Sequence, residues 1–78
     1  MKNFETGIQL PRGGGMIQYG DVLTSKCTHD VVVMWHETQK IPIVKIISEK
    51  DIWFKLDEYV QSWGGRLNIE RNVNVYVA

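Results

Sequence analysis

Two neighbouring segments of this chain, Asp30-Val31-Val32-Val33-Met34-Trp35-His36 and Ile41-Pro42-Ile43-Val44-Lys45-Ile46-Ile47-Ser48, are apolar at nearly every position. A strand with one wet face alternates apolar and polar side chains, so Val31, Val33 and Trp35 on one side and Val32 and Met34 on the other need cover on both. The rest of the chain offers a single helix, and one helix covers one face. The sheet must therefore curl into a small barrel, take the N-terminal segment as its second layer, or pack against a second copy. In the last case Val32, Met34, Val44 and Ile46 form a homodimer face, and Met34→Lys yields a soluble monomer.

Seventy-eight residues make one domain, and a domain of that size buries only about 60% of the surface its unfolded chain exposes. Three Trp, three Tyr and two Phe therefore supply much of the burial. Nine basic and nine acidic side chains balance, whereas a binder of phosphate backbones carries a basic surplus. Nucleic acid is the less favoured partner on that ground. Cys27 is the lone cysteine, so no internal disulfide can form; small secreted domains usually need such staples, which points to a reducing cytoplasm. No stretch approaches the ~18 apolar residues of a membrane span, and no signal peptide is readable at the N-terminus, so no membrane role is expected.

Along the chain, Gly13-Gly14-Gly15 marks residues 1–15 as a flexible tail or an added edge strand, with a single α+β domain over 16–78. Met16 to Tyr19 and Val22 to Cys27 alternate on either side of Gly20-Asp21 and read as one bent strand or two short ones. Thr38-Gln39-Lys40 separates the two apolar strands as a hairpin loop, and Pro42, which lacks an N–H, belongs at a strand start or on an open edge. Ser48 predicts an N-cap, with Asp51 as a shortened capping-box partner, and Gly64-Gly65 predicts a left-handed C-cap, so a helix is expected from about 49 to 63.

Wound at about 100° per residue, Ile52, Leu56, Tyr59, Val60 and Trp63 form one stripe with Trp53 at its margin. The opposite face carries Asp57, Glu58 and Gln61 and, against the pattern, Phe54. Beyond the helix, Leu67 with Ile69 and Val73 with Val75 and Val77 predict two half-buried strands joined by a three-residue loop at Glu70 to Asn72. The fold class is α+β: a small, mainly antiparallel sheet of four to six strands in the order β-β-β-α-β-β, with a partial barrel as one form of closure.

No motif identifies a reaction. Cys27, His29, Asp30, His36 and Glu37 are the densest chemical group, but their spacing matches neither the paired ligands of a zinc site nor a thiol beside a usable base. The plain reading makes Cys27 a small core residue, His29 part of a polar turn and His36 a strand end near solvent. Gly13-Gly14-Gly15 lacks the Lys-Ser or Lys-Thr of a phosphate loop. Neither catalytic residues, nor metal ligands, nor a cofactor site is expected. Phe54 ringed by Asp57, Glu58 and Gln61 has the build of a contact point, a central aromatic inside a polar rim. The expectation is a non-enzymatic protein that binds another protein, an inhibitor or adaptor of the kind phages and mobile elements encode. The alternative is a small nucleic-acid-binding module using Tyr19 or Tyr76 beside Arg66 and Arg71 on a curved sheet.

Overall fold

The computed structural model describes residues 5–11, 13–49 and 51–71. Along these run strands β1 (Glu5–Leu10), β2 (Gly15–Gln18), β3 (Asp21–Thr24), β4 (Val31–His36), β5 (Ile41–Ile46) and β6 (Trp53–Lys55), then helix α1 (Leu56–Trp63), a 3-10 turn over Gly64–Arg66, and β7 (Asn68–Arg71). β1 and β2 form a two-stranded antiparallel sheet, and the others a five-stranded antiparallel sheet in the order β6-β5-β4-β3-β7. The protein is thus a small α+β fold with a multi-stranded antiparallel sheet and, among the described residues, one α-helix.

The β4–β5 hairpin forms where the apolar runs predict it, and its turn fixes the register. The Lys40 amide donates to the His36 carbonyl at 2.8 Å, the Gln39 amide donates to His36 Nδ1 at 3.1 Å, and Lys40 takes φ +60°. Pro42 is the second residue of β5, one position beyond the Ile43–Lys55 pair at which β6 stops, so no neighbouring strand asks it for a proton. Directly opposed residues share a face in an antiparallel pair. Val31, Val33 and Trp35 oppose Ile46, Val44 and Pro42 on one face, while Val32, Met34 and His36 oppose Lys45, Ile43 and Ile41 on the other. The four residues expected to make a dimer face are therefore divided, Val32 and Met34 on one side and Val44 and Ile46 on the other. The turn, rather than the composition of the strands, decides this.

The first face carries the core. Val31, Val33, Val44 and Ile46 pack with Leu23 of β3, with Leu56 and Tyr59 of α1, with Leu67, and with Leu10, Ile17 and Tyr19 from the β1–β2 region. Of the two readings of the segment around Gly20-Asp21, the structure has the two short strands: β2 and β3 lie in different sheets on either side of a turn at Tyr19-Gly20. Gly20 at φ +94° makes the corner, and the buried Asp21 carboxylate accepts the Gln18 amide at 2.8 Å. Tyr19 meets Trp35 edge to face, with ring centroids 6.2 Å apart. β1 brings Leu10 into the same core, and of the triglycine Gly13 and Gly14 lie in the turn between β1 and β2 while Gly15 opens β2 opposite Leu10, with Gly13 and Gly15 at positive φ.

The second face is buried in its middle, where Ile43 is 0% exposed, Met34 7% and Val22 8%, while Val32, His36, Ile41 and Lys45 around them are half-buried. Trp53 and His36 belong to strands on opposite sides of β5 and share this face, yet their rings lie 4.7 Å apart. Strands two places apart are separated by nearly 10 Å, so the two rings meet over β5, on the side that bears Ile43.

Three expectations about the helix region are corrected. The helix begins at Leu56 rather than near 49: Ser48 lies in a turn, and Ile52-Trp53-Phe54 leads into an edge strand paired with β5. A β-branched and two aromatic residues favour a pleated, half-buried setting, and the open edge of β5 supplies one. Lys55 takes the N-cap position without a side-chain cap. At the other end Gly64 is right-handed, φ −54°, and continues into the 3-10 turn. Its glycine serves close approach, since a Cβ there would meet Pro11 Cδ at 2.9 Å. β7 runs on through Glu70 and Arg71, paired with Val22 and Asp21 of β3, so the expected loop does not begin at Glu70. The strand expected over 73–77, with Tyr76, lies outside the described residues.

Candidate functional site

β6 and α1 are consecutive without a linker, so the chain turns from edge strand into helix at Lys55–Leu56. Phe54 lies opposite Val44 and therefore on the core-bearing face of the sheet, but at its rim, where it stays 45% exposed. One helical turn later Tyr59 points back, and the two rings stack with centroids 6.0 Å apart and planes at 24°. Tyr59 is buried, and its hydroxyl donates to the loop before β4, at 3.4 Å from both Thr28 Oγ1 and the His29 carbonyl. Helix, edge strand and loop are thereby tied around an open cleft.

That cleft has a volume of about 340 Å³. Phe54, Tyr59, Trp63 and Ile46 give it an apolar lining, and Glu58, Ser62, Thr28 and His29 add polar groups. Of the four residues singled out from sequence, Phe54 and Glu58 meet here. Asp57 lines a separate hollow of about 390 Å³ on the other side of the β6–α1 junction, with Lys55, Ile8 and Pro42, and Gln61 is exposed and lines neither. Phe54 is also not on the helix, where the wheel sets it. Tyr59 and Trp63 were legible only as core stripe, and nothing in the sequence marks Thr28, His29 or Ser62 as their neighbours.

Exposed large apolar residues among those described are Ile47 (55%), Ile52 (41%) and Phe54 (45%). All three come from the connection between β5 and β6 or from β6 itself.

The other candidate groups do not assemble. Cys27 is exposed, not a core residue, and Arg66 Nη1 donates to its Sγ at 3.5 Å. Cys27 and His29 precede β4 and His36 ends it, which separates them by a strand of about 17 Å. Among the described residues no three His, Cys, Asp or Glu side chains converge on a metal-sized site. Tyr19 is 7% exposed, and burial pushes its phenol above the ordinary value of 10.0, so it offers no stacking platform. No described helix is long and apolar enough to cross a membrane. Comparison with family models, with curated proteins and with solved structures finds no match.

Proposed function

We propose that this is a non-enzymatic protein that acts by binding another protein, as an inhibitor or adaptor in a reducing cytoplasm, and that the partner docks over Phe54 at the β6–α1 junction. The observation that carries this reading is the grouping of the exposed large apolar side chains, Ile47, Ile52 and Phe54, in residues 47–54 beside an aromatic-walled cleft. Single exposed apolar residues are ordinary on a protein surface; their concentration next to a concave site is what interaction surfaces have in common. A buried aromatic floor with a polar rim is also the setting in which a few side chains supply most of a binding energy. The nucleic-acid alternative loses Tyr19 to the core and keeps a neutral chain.

The test is photo-cross-linking from the site. A benzoyl-phenylalanine at position 54 is expected to form one dominant adduct with a cellular protein, and the same probe at Glu37, exposed in the β4–β5 turn and not part of the cleft lining, is expected to form none. Equal adduct patterns from the two positions would defeat the assignment.

A further inference from the structure

The cleft's chemistry and the edge it borders specify what enters it, an inference that rests on the protein-binding reading above. We propose that the partner supplies an extended segment that pairs with the free edge of β6 and sets an arginine or lysine side chain in the cleft, its stem on Phe54 and Trp63 and its charged head at Glu58.

The edge follows from the ladder. Antiparallel partners alternate between residues whose amide and carbonyl face the neighbouring strand and residues whose groups face away. The Ile46 amide donates to the Ile52 carbonyl at 3.1 Å, which assigns positions 52 and 54 to the β5 side and positions 53 and 55 to the outer side. β6 is the terminal strand of its sheet, and among the described residues no strand pairs with that outer side. The carbonyl of Lys55 is committed to the first turn of α1 because Lys55 is the N-cap. What remains is the amide and carbonyl of Trp53 and the amide of Lys55, a short template for strand addition. An added strand keeps the pleat, so its residue opposite Phe54 lies on the cleft side of the sheet.

The charge follows from the lining. Glu58 is a carboxylate, and among the described residues no lysine or arginine lines the cleft to neutralise it. Phe54, Tyr59 and Trp63 present ring surface that attracts a cation and also accepts methylene groups. A long basic side chain meets both demands at once, laying its stem on apolar surface and holding its head at the polar end. A purely apolar anchor would leave Glu58 desolvated beside it without a partner.

The experiment titrates the full chain, labelled with nitrogen-15, with peptides Thr-Val-Thr-Xaa-Thr-Val-Thr in which Xaa is Arg, Leu or Glu. The Arg peptide is expected to shift the amides of Trp53 and Lys55 and the indole of Trp63, and to bind at least tenfold more tightly than the Leu peptide. Glu58→Gln is expected to reduce that preference to twofold or less, and Glu58 is exposed, so the variant keeps its fold. If Leu binds as well as Arg, the basic anchor is refuted while a protein-binding cleft stands. Shifts confined to residues away from β6, or no binding by any peptide, refute strand addition at this edge, and the cross-link from position 54 then decides separately whether a protein docks there.

Discussion

Tyr19 shows how a residue that looks available in the sequence is removed from the surface by a single bend. Gly20 and Asp21 turn the chain between β2 and β3, and the bend folds the Tyr19 ring into the core against Trp35. Burial disfavours the phenolate and raises the pKa above 10.0. The folded state therefore holds this proton to higher pH than the unfolded state does. The resulting stability is fully present below about pH 10 and is lost as pH rises through the folded-state value. Urea midpoints measured between pH 8 and pH 11 are expected to fall more steeply in the wild type than in Tyr19→Phe. Parallel curves would show that the ring is not buried. Gly64 carries the complementary lesson, since the sequence suggested a left-handed cap where the structure needs room for Pro11. A glycine at a helix end reads the same in sequence for either purpose.

At the scale of elements the decisive competition lies between residues 49 and 55. Ser48, Glu49 and Asp51 make a plausible helix start, and Ile52 and Leu56 suit the helical stripe, so local signals favour a helix from 49. The open edge of β5 outweighs them by pairing with Trp53-Phe54-Lys55. Pairing also moves Trp53 onto the second face of the sheet, where it meets His36. No local window contains that gain. Ser48→Ala is expected to change stability by less than ~0.5 kcal/mol in chemical denaturation, whereas loss of a working N-cap costs about 1 kcal/mol. A loss of that larger size would place the helix start back at Ser48. The later stripe, Leu56, Tyr59, Val60 and Trp63, was legible because it has the helical spacing and no competing strand edge.

For the whole molecule, the first face of the double-sided apolar block is closed within the chain and the second is covered there in part. Helix α1, Leu67 and the β1–β2 region close the first face, and the Trp53–His36 pair lies over the second. The need for two covers was readable from the strands; their identity was not, because it depends on the hairpin register and on β6. Met34 at 7% exposure is an interior residue of a single chain. Met34→Lys is accordingly expected to destabilise the fold by about 3 kcal/mol or more, by burying an unpaired ammonium. A well-folded Met34→Lys monomer derived from a wild-type dimer, seen by light scattering, would contradict this. The site was legible in part. Phe54 and Glu58 stood out as an aromatic among polar neighbours, although on an element of the wrong kind, whereas Thr28 and His29 reach the cleft only through the loop that Tyr59 ties down.

Folding and recognition part at Phe54, a residue that borders the cleft and stays 45% exposed. The direct measurement is a paired one on Phe54→Ala: thermal stability of the purified variant, and quantitative recovery of the protein that cross-links at position 54. The expected result is a loss of no more than about 1 kcal/mol in stability, with partner recovery reduced at least tenfold. Undiminished recovery by a folded Phe54→Ala variant would contradict the assignment of this surface to partner binding.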